Sequence, residues 1–105
     1  MYQEEDYLIR QIHHLIALIL QLVLGERGEA EVDDQLQSTF GLSLRTLDAL
    51  PASALLSLYD LGDPRDRARL DGLISVLDAL SKHGPNAQIR KEKADALRSA
   101  AARPR

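Results

Sequence analysis

Cysteine is absent from the 105 residues, and with it go disulfide frameworks, thiolate nucleophiles and cysteine-ligated zinc. Tryptophan is absent too, and the aromatic complement is only Tyr2, Tyr7, Phe40 and Tyr59. A core must then come from aliphatic side chains. Twenty leucines, with isoleucine and alanine, supply a composition that favours helix. No stretch alternates with period two as a half-buried strand would. The six glycines are scattered as stops and loop residues and form neither a GxGxxG nor a Walker pattern, which argues against an NTPase. The longest apolar run is interrupted by polar residues and falls short of the ~20 residues that cross a bilayer. Glu4, Glu5 and Asp6 stand where a secretory leader carries basic residues. We therefore expect one soluble cytoplasmic all-α domain over 1–102, with 103–105 as a frayed tail and no membrane contact.

About five helices are expected. The first runs from near Gln3 to Leu24 and stops at Gly25. A shorter one spans Glu31 to Phe40, with Gly41 as its stop. Ser43 caps a short turn through Leu50, and Pro51 opens a helix to about Asp60. In GDPRDRARLDGLISVLDALSKHG, Asp63 is the cap, Pro64 the first helical residue and Asp66 the capping-box acid. Leu70, Leu73, Ile74, Leu77 and Leu80 then form one apolar face before Gly84 and Pro85. A last helix from Asn86 or Ala87 to Ala102 carries Ile89, Lys93, Ala94 and Leu97 and closes a C-terminal helix hairpin.

The first helix has more apolar surface than one core requires. At about 100° per residue, Ile9, Ile12, Ile16, Ile19 and Val23 fall in one narrow β-branched stripe at spacing 3, 4, 3, 4. Leu8, Leu15, Leu18 and Leu22 form a second stripe beside it, and Leu20 and Leu24 widen the other flank. Together they cover roughly 200°, where a surface helix needs about 100°. The isoleucine stripe is thus either core or a homodimer interface.

His13 and His14 are adjacent in sequence but point about 100° apart on a helix, so one helix cannot use both on a single ion. No Glu-x-x-His pattern precedes any histidine, and no metal or other cofactor is expected. His83 reads as a cation near a helix C-terminus. Glu4–Asp6 and Asp33–Asp34 read as first-turn acids of helices, where the macrodipole favours them. Charge is unevenly spread: residues 1–62 hold three Arg/Lys against ten Asp/Glu, and residues 63–105 hold ten against six. The only basic patch, Arg90, Lys91, Lys93, Arg98, Arg103 and Arg105, lacks interleaved aromatics and is broken by Glu92 and Asp95, so nucleic acid is a disfavoured partner.

The opening YQEEDYLIRQI, the Phe-Gly-Leu turn, ALPASALLSL and GDPRDRARLDGLISVLDAL together resemble a family of small bacterial proteins classed as a domain of unknown function. The resemblance covers most of 2–84 and implies an all-helical fold and a bacterial source. At the C-terminal end, Leu73 to Leu80, Gly84, Ala94 and Leu97 are similar to a tetratricopeptide-type hairpin. The first expectation for function is a non-enzymatic interaction or scaffold module, a homodimer or a binder of another protein. The alternative is a small-ligand-binding or enzymatic domain using Tyr7, Arg10 and His14, which share one face of the first helix.

Overall fold

Leucine periodicity and capping residues resolve into six helices in the computed structural model, which describes residues 3–102 and side chains from Asp6 onward. They are α1 (Gln3–Val23), α2 (Glu29–Phe40), α3 (Leu44–Ala49), α4 (Ala52–Leu56), α5 (Pro64–Leu80) and α6 (Ala87–Ala102), with no strand among the described residues. Tyr2 and the expected tail 103–105 lie outside that range. No described helix is long and apolar enough to cross a membrane.

Helix α2 starts at Glu29, two residues before the expected Glu31, and two further boundaries differ from expectation for local reasons. The turn after Ser43 is a full helix, because two oxygens take its first free N–H groups: Ser43 Oγ accepts from Thr46 N at 3.0 Å, and Asp33 Oδ1 accepts from Leu44 N at 2.6 Å. That adds a sixth helix to the expected five. The segment opened by Pro51 stops at Leu56 instead of Asp60. Asp60 N donates to Asp66 Oδ2 at 2.8 Å, so Asp66 pins the incoming loop rather than closing a capping box on Asp63. Asp63 itself caps α5 through Arg65 N at 3.0 Å, with Pro64 in the first turn. Gly25, Gly41 and Gly84 end their segments at φ 80°, 73° and 77°, the left-handed conformation that a Cβ disfavours.

The core is a leucine lattice between α1 and the α5–α6 hairpin, closed by α2, α3 and α4. Leu15, Ile19, Leu36, Leu47, Leu55, Leu73, Leu77 and Leu97 are essentially sealed from water. Gly72 marks the closest approach of α1 to α5. A methyl group added there would overlap the end of the Ile12 side chain, and Phe40 closes the third side. Two arginines bind the hairpin at opposite ends. Arg67 reaches the terminal carbonyl of Ala101 at 2.9 Å, and Arg90 reaches the carbonyls of Leu80 and His83 at 3.3 and 2.8 Å.

The radius of gyration, 13.3 Å, is what one domain of this length adopts. The shortest dimension is 18 Å. Helices pack about 9 Å apart and have a backbone radius of about 2.3 Å, so that dimension holds two layers and not three. A helix in a two-layer fold has one face that its own chain does not cover.

Candidate functional site

Helix α1 is the test of that inference, since its apolar arc was too wide for a single core. Its buried side is the leucine stripe, with Leu15, Leu18 and Leu22 facing inward, joined by Ile12 and Ile19. Ile16 and Val23 are half-buried and pack against the same cluster. The isoleucine stripe is therefore mostly core. Of its five members only Ile9 stands clear, at 47% exposure. The physical reason is the position of α5, which approaches over Ile12 and rotates the buried sector of α1 toward the isoleucines.

What remains outside is a different stripe, displaced by about 60°. Ile9, Leu20 and Leu24 are 47%, 45% and 71% exposed, and His13 lies between them, also exposed. With half-buried Ile16, the positions 9, 13, 16, 20 and 24 follow one another at steps of three and four along one side of the helix. Asp6 stands at its N-terminal end. At its C-terminal end, Arg27 hydrogen-bonds back to Gln21 and pairs with Glu31. Leu20 and Leu24 were legible in the sequence as flank; their exposure depended on where α5 and α2 sit.

Tyr7, Arg10 and His14 are all exposed on the solvent side of α1. They line neither of the clefts described next.

A polar cluster joins α6 to α3, and the sequence reading took its two cations, Arg90 and Lys93, only as part of a basic patch. Arg90 and Lys93 of α6 are 3% and 8% exposed. The Arg90 guanidinium makes a two-pronged contact with Asp48 of α3, at 2.9 Å from Nε and 2.8 Å from Nη2. Asn86 donates to the same carboxylate at 3.2 Å. Lys93 Nζ donates to the carbonyls of Leu47 and Asp48, at 2.8 and 2.5 Å, which are free acceptors at the end of α3. Burial pushes the Asp48 carboxyl up, but the Arg90 hydrogen bonds and charge, with Asn86 and Lys93 behind them, outweigh it and hold it below the ordinary value. Burial pushes Lys93 down; the Asp48 charge opposes that shift and Arg90 adds to it.

The cluster floors a cleft of about 590 Å³ between α2, α3 and the α5–α6 turn, with Glu29, Asp33 and Arg45 on its rim. Glu29 Oε2 lies 3.1 Å from His83 Nε2 across that rim. The carboxylates facing it are already committed: Asp33 to the α3 N-terminus, Asp48 to Arg90 and Glu29 to His83. Every buried side-chain nitrogen or oxygen among the described residues has a partner. These groups clasp α3 to α6 and to the α5–α6 turn, Asp48 through Arg90 and Asn86 and Lys93 through backbone carbonyls; acid–base work needs separated pKa values and a free proton position. A second cleft, about 550 Å³, lies between Phe40, Tyr59, Arg65 and Arg69; burial pushes the Tyr59 hydroxyl up, Arg69 opposing and Asp66 adding. Its acids hold backbone N–H groups, Asp63 at Arg65 and Asp66 at Asp60.

The basic patch of α6 is largely consumed in the same way. Arg98 bridges Asp95 and Asp78, and Lys91 lies 3.8 Å from Asp95. Among the described residues no group of three or more His, Asp or Glu is placed to hold a metal ion.

No family model, curated protein or solved structure matches the chain, so geometry alone carries the functional reading.

Proposed function

We propose that the protein is a non-enzymatic helical interaction module that associates with itself through the outer face of α1. One observation carries this reading: in a fold two layers thick, the longest helix leaves Ile9, Leu20 and Leu24 in water along one side. Exposed apolar side chains aligned along one helix face mark a contact surface more often than leucines scattered singly. The polar clefts support a non-catalytic role by their chemistry, since their carboxylates are spent on helix ends and arginine.

Sedimentation velocity across micromolar concentrations tests the proposal. A concentration-dependent dimer that Leu20→Glu dissociates, at unchanged helical content, supports it. A monomer at every concentration, or a dimer indifferent to Leu20→Glu, sinks it.

A further inference from the structure

The chain has four aromatic residues, and two of them, Phe40 and Tyr59, line one cleft together with Arg65 and Arg69. From that juxtaposition we infer that the cleft between the end of α2 and the start of α5 binds a small monocarboxylate with an aromatic or branched apolar body. The inference goes beyond self-association: among the described residues no side chain of α1 lines this cleft. Gly41, at φ 73°, ends α2 and turns the chain so that Phe40 before it and Leu42 after it border the same space. Leu58, 53% exposed, and Tyr59 border it from the segment after α4. Phe40, Leu42 and Tyr59 also pack against the core, so the fold holds the apolar floor in place. The volume, about 550 Å³, lies within the roughly 300–1,000 Å³ of sites that take one small ligand.

Arg69 and Tyr59 supply the polar end. Among the described residues neither the Arg69 guanidinium nor the Tyr59 hydroxyl takes part in a hydrogen bond or ion pair. Every buried side-chain nitrogen or oxygen does have a partner, so the Tyr59 hydroxyl meets solvent. Arg69 lies near enough to oppose the upward pull of burial on that hydroxyl. A guanidinium and a phenolic O–H close to one another are a donor pair suited to a carboxylate. Charge narrows the class further. Asp63 and Asp66 also line the cleft, each with one oxygen held by backbone, at 3.0 Å from Arg65 N and 2.8 Å from Asp60 N. Two arginines against two aspartates make the lining formally neutral. A single negative charge is accommodated beside Arg69, whereas a dianion such as phosphate is repelled by the aspartates.

Titration of the full chain with sodium benzoate, followed by heteronuclear NMR, tests the assignment. Benzoate is expected to shift the backbone amides of Phe40, Leu42, Tyr59 and Arg69 saturably, with the millimolar Kd that suits so small a ligand. Benzyl alcohol keeps the ring without the charge, and acetate keeps the charge without the ring. Each of these, and inorganic phosphate, is expected to bind about tenfold more weakly or worse. Arg69→Gln should weaken benzoate about tenfold and leave benzyl alcohol unchanged. Its exposed position predicts a melting temperature equal to that of the parent, so the loss is read on a folded chain. Tyr59→Phe keeps the ring and should weaken benzoate about threefold. The inference is overturned by the absence of a saturable shift, by shifts centred outside the cleft, by benzyl alcohol or phosphate binding as tightly as benzoate, or by an Arg69→Gln chain that binds benzoate like the parent.

Discussion

Helices α1 and α6 break the inside–outside rule in opposite directions. Helix α1 and the residue after it leave Tyr7, Ile9, Leu20 and Leu24 in water, while α6 takes an arginine and a lysine out of it. The difference lies in what each helix end and face meets. The inner side of α6 runs past the C-terminal ends of α3 and α5, where free carbonyls and Asp48 supply partners for buried cations. The outer side of α1 runs past nothing, because the fold has no third layer. Burial follows the neighbour available, and a buried charge persists only where hydrogen bonds replace water.

Removing Arg90 should do the greatest damage to this contrast. Arg90→Ala leaves the Asp48 carboxylate with Asn86 alone as a side-chain donor and takes a donor from the Leu80 and His83 carbonyls, and about 3–5 kcal/mol of stability should be lost in urea unfolding. Arg90→Lys should recover only part, since an ammonium cannot make the two-pronged contact. A loss under about 1 kcal/mol would show that the clasp is solvated, with exposed pairs as the standard.

Neighbouring positions on α1 give the next test. Ile19 is sealed and Leu20 is 45% exposed. Ile19→Ala should cost about 2–5 kcal/mol. Leu20→Ala, measured at a concentration low enough to dissociate any dimer, should stay within about 0.5 kcal/mol of the parent. Equal losses would mean that the face assigned to solvent is core.

Gly72→Ala sets two terms against each other. Alanine is favoured over glycine in a helix by about 1 kcal/mol, but the added methyl overlaps Ile12, and overpacking costs about 1–3 kcal/mol. Net destabilisation of about 1 kcal/mol is expected, and Ile12→Val should relieve part of it in the double variant.

The smallest effect is electrostatic. The Asp48 carboxyl titrates below its unfolded value of 3.8, so the folded state resists its protonation. Its contribution to stability is complete above that value and disappears as pH falls through the lower, folded one. Asp48→Asn should therefore flatten the acid limb of the stability–pH curve below about pH 4. An acid limb identical to that of the parent would show that other groups govern it. Lys93 has the same slope in a different range: its depressed value makes stability rise with pH between the folded value and 10.5, so its burial is a cost at neutral pH that lifts only in alkali.

Much of the fold was legible in the sequence. Asp63, Pro64 and Gly84 bracket α5 as expected, Gly41 ends α2, and all the helices lie where the periodicity puts helix or turn. Ser43 was readable as a cap, but its helix needed a second acceptor, Asp33, which is ten residues upstream and arrives only on folding. The polar clasp was hidden in plain view. Arg90 and Lys93 share a helix face with Ala94, Leu97 and Ala101, a spacing that marks the inner side of α6, yet a basic run reads as solvated until its carbonyl partners are placed. Ile89, on the same helix, is 48% exposed.

The sequence by itself determined the class, all-α and cysteine-free, and the helix ends that local signals mark, such as Gly41 after α2 and Asp63–Pro64 before α5, because caps, glycines and 3.6-residue periodicity act within a few residues of one another. It also determined that α1 has more apolar surface than one partner face can cover. Which part of that surface stays in water was decided only by tertiary structure. Close approach of α5 at Gly72 turned Ile12 and Ile19 inward, and a two-layer fold left Ile9, Leu20 and Leu24 outside. Such choices depend on contacts between residues dozens of positions apart, and no local pattern carries them.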